Sequence, residues 1–362
     1  MDRQTVRVYE QRAAQWRAAR RPRFLERAAA LGRAVAAGAV RIDVGCGPGR
    51  ELGALGSPVV ALDAAAAMLE LARVEHSAAW CVQADLEDLP IRAGSIGGAW
   101  ARASYLHIPR GRLPWALMEL HQALAVGSPV ALVLRAGSEE GALPGDDFPG
   151  RFFAEWDAES LREVVTGAGF EVEAVEPVEP GPGKWIEVRA TRARTLPDFV
   201  GPGMRVLMCG LNPSEVAADR GVGFAGRGNR FWPAALASGL VTRDRDPRHA
   251  LRANGMGMTD LVKRATPRAD GLGADEYRAG AERLERLVRR LEPAVVCFAG
   301  LTGYRAAVDR TAGPGPVPGG FAGVAAYVMP NPSGVNTHSS LDDLTAHLAA
   351  VVAVADRAAE LS

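Results

Sequence analysis

Residues 40–49 read Val-Arg-Ile-Asp-Val-Gly-Cys-Gly-Pro-Gly, an apolar strand running straight into three glycines at alternate positions, Gly45, Gly47 and Gly49. Lacking side chains, these positions let the backbone approach a ligand closely before it turns into the next helix. A glycine loop alone is weak evidence, so its neighbours decide. Asp63 ends the next strand-like run, PVVALD, about twenty residues after the loop, where a carboxylate accepts hydrogen bonds from ribose hydroxyls. Asp85, in VQAD, ends a third run. There it either contacts the exocyclic amine of an adenine or is a helix N-cap before LEDL.

Outward from the loop, strand-like segments (VRIDVG, PVVALD, AWCVQAD, SPVALVLRA) alternate with helix-like ones (AAAAMLELARVEH, LPWALMELHQAL). That alternation predicts α/β architecture, a parallel sheet with helices on both faces. At 362 residues and 48% hydrophobic, the chain exceeds what one core serves, so two domains are expected. The stretch from Glu176 to Thr195, EPVEPGPGKWIEVRATRART, opens with a Pro/Gly run and ends polar, which places a boundary near residue 193 and domains at 1–192 and 193–362. Beyond it MRVLMCGLN, AVVCFAG and VAAYVMPN are strand-like, whereas NRFWPAALASG, ADEYRAGAERLERLVRRL and SLDDLTAHLAAVVAVADRAAE are helical. The second half is therefore α/β too, and no repeat links it to the first.

Composition narrows the classes. Formal net charge is zero; a slight acidic excess before the boundary and basic excess after it lean toward a nucleic-acid partner for the second half without establishing one. Cys46, Cys81, Cys209 and Cys297 are scattered, with no paired spacing, so no metal is expected and buried thiols are the plain reading. No run has the length and apolarity of a membrane span, and the charged start lacks the apolar core of a signal peptide. The expectation is a cytoplasmic protein with no membrane partner.

With Asp43-Val44-Gly45-Cys46-Gly47-Pro-Gly49, Asp63 and the Asp85-Leu86 pair in view, residues 8–178 resemble the class I S-adenosylmethionine-dependent methyltransferases, a Rossmann-like fold. The resemblance implies that Asp43, Gly45, Gly47, Gly49, Asp63, Asp85 and Leu86 hold S-adenosylmethionine, that residues 9–18 form a helix over the cofactor, and that Gly169-Phe170 leads into the antiparallel end of the sheet. The fourth strand region, GGAWARASYLHIP, lacks the Asn/Asp-Pro-Pro-aromatic stretch of DNA amine methyltransferases, which disfavours DNA methylation. His107 and Tyr105 are candidates for lining an acceptor pocket, and the methyl acceptor is unknown.

In the second half the chemistry of base removal supplies the list of needed parts: flip the nucleotide, stack its base, bond its edge, plug the gap, and place a polar group beside the sugar carbon. MRVLMCG ends in Gly210-Leu211-Asn212-Pro213-Ser214, which puts a carboxamide able to hold a water at the C-terminal end of an apolar strand, where α/β proteins gather function. Phe224, in the Gly-rich stretch GVGFAGRGNRFW, is the candidate for stacking on an extruded base; Phe231 and Trp232 read as core anchors of the following helix. VAAYVMP runs into a second polar turn, Asn331-Pro332-Ser333-Gly334-Val335-Asn336-Thr337. There Asn331 is placed to stabilise charge on the departing pyrimidine, Ser333 to bond a phosphate and Val335 to enter the stack as a wedge.

These turns, with Gly226-Arg-Gly-Asn-Arg-Phe-Trp232, resemble the mismatch-specific uracil/thymine-DNA glycosylases of the uracil-DNA glycosylase superfamily over residues 195–355; GMGMTDLVKRATPRAD and EPAVVCFAGLTGY look like family segments as well. The resemblance implies a monofunctional hydrolase without cofactor, acting on double-stranded DNA with a mismatched or damaged pyrimidine. In it Asn212 positions the attacking water, Gly210, Leu211, Phe224 and Asn331 form the base pocket, and Ser333, Gly334, Val335 and Arg230 meet DNA, with Arg220 and Arg227 as further basic candidates. Some relatives carry Leu where Val335 stands, Arg where Thr337 stands and Gly where Ser214 stands, so a weaker grip on the opposite strand and a narrower pocket favouring uracil over thymine are expected. Two other readings compete: a methyltransferase that uses the C-terminal domain only for DNA targeting, and a lesion binder without catalysis.

Overall fold

The computed structural model describes residues 1–21, 23–178, 185–267 and 271–360, with residues 359 and 360 described by backbone alone. Most of the Pro/Gly run, 179–184, and the end of the GMGMTDLVKRATPRAD segment lie outside the described residues. The chain forms two compact units, Met1–Ala193 and Arg194–Ser362.

In the first unit β1 (Arg41–Val44), β2 (Val59–Asp63), β3 (Trp80–Gln83), β4 (Gly98–Arg102) and β5 (Pro129–Ala136) pair in parallel in the order β3-β2-β1-β4-β5. A short hairpin, β6 (Glu140–Ala142) and β7 (Phe152–Trp156), joins the end of β5. The sheet closes with β9 (Trp185–Arg192), antiparallel to β5, and β8 (Phe170–Val178), antiparallel to β9. Because strand side chains alternate, Ile42, Val60, Ala99 and Leu132 face one core, built with the helices Leu113–Ala123 and Ala158–Gly167, whereas Ala61, Trp100 and Val133 face another, built with Leu25–Ala34 and Leu52–Leu55. Both faces of the sheet are therefore covered, as parallel sheets require. The β6–β7 hairpin has no periodicity long enough to announce it in the sequence.

The second unit is a smaller sheet of β10 (Val206–Gly210), β11 (Met256–Asp260), β12 (Val295–Ala299), β13 (Gly315–Pro316) and β14 (Ala325–Met329) in the order β11-β10-β12-β14-β13, parallel except for β13. Leu207, Cys209, Val296, Phe298 and Val328 pack with Leu284, Leu287, Val288 and Leu291 of the helix Ala274–Leu291. The opposite face is covered by Leu341–Glu360, which packs on β10, β12 and β14. Strand β11 was not expected: its sequence, Met-Gly-Met-Thr-Asp, has one β-branched residue and no alternation, and it is held by full-length pairing with β10. Among the described residues no helix is long and apolar enough to cross a membrane.

Candidate functional site

Parallel strands deliver their C-terminal ends to one edge, and in both units the chemistry-bearing side chains collect there. In the first unit a cavity of about 410 Å³ is lined by Gly45, Gly47, Asp63 and Leu86 on the loop side and by His107 and Arg151 opposite. The loop is made of glycines for two reasons. A Cβ on Gly45 would lie 2.2 Å from the Ser104 Cβ, and Gly47 holds a left-handed φ of 53° while its amide donates to Asp63 Oδ2 at 2.8 Å. Asp63 also accepts from Ala65 N at 2.9 Å. Burial pushes its pKa up to about 6 in spite of those two amides, and the Glu10 carboxylate adds to the rise.

Other expected cofactor residues stand elsewhere. Asp43 lies beneath the loop, 2% exposed, where burial and the Glu51 carboxylate raise its pKa and the Arg102 guanidinium opposes them. Gly49 packs against Leu52 and Ala72. The Asp85 carboxylate pairs with the Met1 amino group at 2.7 Å and accepts from Glu87 N at 3.0 Å, so it holds a turn, while its neighbour Leu86 reaches the cavity. The helix Arg3–Ala19 spans residues 9–18; its Tyr9 and Trp16 line the cavity, and the Trp16 ring is 3.9 Å from a Cβ built on Gly47.

His107 belongs to the far wall, and Tyr105 is buried in the core. His107 Nδ1 donates to the Phe152 carbonyl at 2.6 Å, which leaves Nε2 to accept from the Tyr9 hydroxyl at 2.8 Å; Arg151 donates to the same hydroxyl at 2.8 Å. Burial lowers the His107 pKa to about 4, so the ring is neutral and anchors the covering helix.

In the second unit the C-terminal edge of the sheet presents Asp260 from β11, Gly210 and then Asn212 from β10, Gly300 after β12, and Asn331 after β14. The two polar turns follow strands separated by one other, roughly 10 Å apart. Asn212 Nδ2 donates to Thr266 Oγ1 at 2.7 Å and to the Arg264 carbonyl at 3.0 Å. The amide is thereby oriented, and its Oδ1 is left to accept. Neither Thr266 nor the Arg264 carbonyl was foreseen, because both lie more than fifty residues further along the chain.

Phe224 adopts a left-handed φ of 56°, uncommon for a bulky residue. Its ring stacks on Phe231, with centroids 4.3 Å apart and planes at 29°. Phe231 and Trp232 are fully buried, and Trp232 Nε1 anchors the Gly-rich loop by donating to the Gly223 carbonyl at 2.8 Å. Leu211 packs against Gly303, where a Cβ would lie 2.6 Å from its Cδ1. Ser214 caps the helix Glu215–Arg220 by accepting from Ala217 N at 3.2 Å.

The second turn is held by its own side chains. Asn331 Oδ1 accepts from Ser333 N at 2.9 Å, which leaves Nδ2 as a donor. Gly334 approaches the other loop so closely that a Cβ would lie 2.8 Å from the Gly228 carbonyl oxygen. Val335 stands 87% exposed in this turn. Arg230, expected at the DNA, instead donates to the carbonyls of Ser333 at 3.1 Å, Asn336 at 2.7 Å and Ser339. Three internal acceptors make its guanidinium the clamp of this turn. Arg220 likewise turns inward to the Ala225 carbonyl at 3.2 Å, whereas Arg227 is exposed. Among the described residues no cluster of three or more His, Cys, Asp or Glu side chains is arranged to hold a metal.

Residues 197–354 match the uracil DNA glycosylase superfamily, and residues 42–132 match a methyltransferase domain. A methyltransferase domain and a uracil DNA glycosylase superfamily domain share this chain. Solved structures similar to it include a chain of the complex between the Haloferax volcanii Trm112 methyltransferase activator and a methyltransferase, at 17% identity, covering 52% of this chain and 97% of that one with a TM-score of 0.45. A SAM-dependent methyltransferase from Methanosarcina mazei is similar at 17% identity over 42% of this chain and 92% of its own, TM-score 0.38. The Burkholderia thailandensis 1,6-didemethyltoxoflavin-N1-methyltransferase is similar at 19% identity over 47% and 78%, TM-score 0.39.

In the glycosylase-superfamily domain the clamp reading of Arg230 has a measurable consequence. Arg230→Ala should weaken binding to a duplex containing uracil by about tenfold or more through loss of the turn, with the slope of log affinity against log salt unchanged. A slope smaller by about one would instead identify a phosphate contact.

Proposed function

We propose that the C-terminal domain is a monofunctional DNA glycosylase that hydrolyses the N-glycosidic bond of uracil mispaired with guanine, in base excision repair. The observation that carries this reading is Asn212: its amide nitrogen is committed to Thr266 and Arg264, so its Oδ1 accepts from a water held beside the sugar carbon, with Phe224 nearby to stack on the base. Asn331 contributes its uncommitted amide hydrogens to the charge that develops on the leaving base, and Val335 fills the space the flipped nucleotide vacates. With the sugar acquiring cationic character and the base leaving with the electron pair, a positioned water and preorganised dipoles suffice. Labelled duplexes with a single U·G, T·G or U·A pair, incubated with the protein and then treated with alkali, test this directly: cleavage of U·G well above U·A is expected. No cleavage of any duplex by folded protein would overturn the reading.

For the N-terminal domain we propose S-adenosylmethionine as cofactor. The cavity beside the glycine loop fits it: Asp63 offers a carboxylate to the ribose hydroxyls, a side chain at Gly45 would collide with Ser104 and the left-handed backbone at Gly47 favours glycine, and Leu86 supplies an apolar wall for the adenine. Bound there, the cofactor supplies an activated methyl group; the protein's own part is to orient donor and acceptor under the helix that carries Tyr9 and Trp16. Asp63→Ala should weaken S-adenosylhomocysteine about 10- to 100-fold by calorimetry. Because only the carboxylate form accepts two hydroxyl bonds, parent affinity should also fall as pH drops below about 6. Equal affinity in parent and variant would place the cofactor elsewhere.

A further inference from the structure

Neither Arg102 nor Arg135 was expected at the acceptor pocket, for which the sequence offered His107 and Tyr105. The sheet order β2-β1-β4-β5 sets β5 three strand spacings, roughly 14 Å, from β2. One cavity spans that distance: the glycine loop and Asp63 line one part, and Phe24, Arg102, Arg135, Phe153 and Trp185 line the other. In the second part each guanidinium lies by an aromatic ring. Arg102 Cζ is 5.6 Å from the centre of the Phe24 ring and Arg135 Cζ is 6.0 Å from that of Phe153, while Trp185 pairs with Arg135 across β9 and β5. Arg102 donates from Nε to Glu51 at 2.9 Å, and Arg135 donates from Nε and Nη2 to one oxygen of Glu155 at 3.2 and 3.1 Å. Among the described residues nothing accepts from Nη1 of either arginine or from Nη2 of Arg102. The two side chains are only 18% and 16% exposed, so these donors are largely withdrawn from water and unspent. Glu51 and Glu155 do not line the cavity although their arginines do, and the cavity therefore meets the cations without their partners. Arg20 and Arg151, by contrast, pair with Asp147 and Asp146 on the cavity wall itself and are neutralised there.

We propose that this second part is the methyl-acceptor site and that it takes a small aromatic carboxylic acid, an assignment that rests on the S-adenosylmethionine reading of the first part. A carboxylate is planar and matches the edge of a guanidinium with paired charge-assisted hydrogen bonds. Phe24, Phe153 and Trp185 offer their rings to a flat apolar body. At about 410 Å³ the cavity has the size of a small-molecule site. In transfer, a ring hydroxyl of the acceptor bonds to the methyl carbon as the carbon–sulfur bond gives its electron pair to sulfur, and the hydroxyl proton passes to solvent. The carboxylate stays on Arg102 and Arg135 and is unchanged, so the two arginines position the acceptor and take no part in the bond exchange.

The test is binding to the full chain saturated with S-adenosylhomocysteine, followed by ligand-observed NMR titration. The probes are para-hydroxybenzoate and para-hydroxycinnamate, each set against its primary amide. Each acid should bind about 10- to 100-fold more tightly than its amide, the span expected when hydrogen bonds to a charged group are lost. That comparison needs no variant, so it stands however a substitution affects folding. Arg135→Gln should cut the preference for acid over amide about tenfold while S-adenosylhomocysteine affinity stays at the parent value, and Arg135→Lys, which keeps the charge without the planar fork, should restore part of it. Equal binding of acid and amide by the parent, no binding of either acid, or an undiminished preference in Arg135→Gln overturns the acceptor assignment, while cofactor binding leaves the S-adenosylmethionine reading standing. No S-adenosylhomocysteine binding by the parent overturns that reading and the acceptor assignment with it.

Discussion

Asn212→Ala is expected to cut single-turnover uracil excision by about 10²- to 10³-fold, the usual loss on deleting one preorganised group at a reacting centre, while affinity for the U·G duplex stays near the parent value. The split between rate and affinity follows from geometry. Asn212 spends its amide hydrogens on Thr266 Oγ1 and the Arg264 carbonyl, so its oxygen is left to accept; on the proposed reading it serves the water, while duplex binding depends on the wedge turn and the stacking ring. Filter binding alongside an alkali-cleavage time course separates the two quantities. A variant that binds and cleaves at the parent rate would remove Asn212 from the mechanism, and one that merely fails to bind would make it a contact residue. Retained cleavage by the parent and its loss in the variant also excludes the lesion-binder reading.

The second large effect concerns stability. Asp198, 2% exposed, accepts from Thr259 Oγ1 at 2.6 Å, Lys263 Nζ at 2.9 Å and Arg283 at 2.7 Å, which places one carboxylate between two cations under the floor of the candidate base pocket. Removing its charge leaves both cations poorly compensated, and breaking a buried pair in this way costs about 3–5 kcal/mol. Asp198→Asn should therefore accelerate hydrogen exchange in peptides from β10, β11 and β12, with first-unit peptides unchanged. The sign of the pH dependence is fixed as well. Burial acts to raise the Asp198 pKa, but Arg283 first and then Lys263 prevail and hold it below the usual carboxylate value. Its contribution is thus present above the unfolded-state pKa and is lost as pH falls through the folded one. Asp260 and Asp63 run the other way, since their raised pKa values mean that the folded state gains on the unfolded as they take up protons below about 6. Protection of β10–β12 in the Asn variant that matches the parent at neutral pH would show that this network carries little energy.

The strands β1, β2, β5, β10, β12 and β14 were legible because each is a dense apolar run bounded by turn residues, and the helix Ala274–Leu291 because its apolar positions recur with helical period. Strand β11 and the β6–β7 hairpin were not. Their residues carry little propensity of their own and are strands only because a neighbour pairs with them. The same division runs through the candidate sites. Asn212, Phe224, Asn331 and the glycine loop stand in short local motifs, each recognisable within a few residues. Asp260 escaped notice because it ends a strand that was not recognised, and Arg230 was assigned to DNA because a loop arginine reads as a free charge until its three carbonyl partners are known.

By itself the sequence determined what local spacing can encode: two α/β domains, a strand-to-glycine turn with a carboxylate at the next strand end, and two asparagine turns at the ends of apolar strands. Tertiary structure alone decided which polar groups keep their capacity for a ligand and which spend it on the protein. Arg230, Asp85 and His107 spend theirs on internal partners, whereas Asn212 keeps an oxygen and Asp260 keeps a carboxyl group whose pKa burial pushes up to about 6. The physical reason is that hydrogen-bond satisfaction and desolvation depend on residues brought together from distant parts of the chain, and no window of sequence contains both partners.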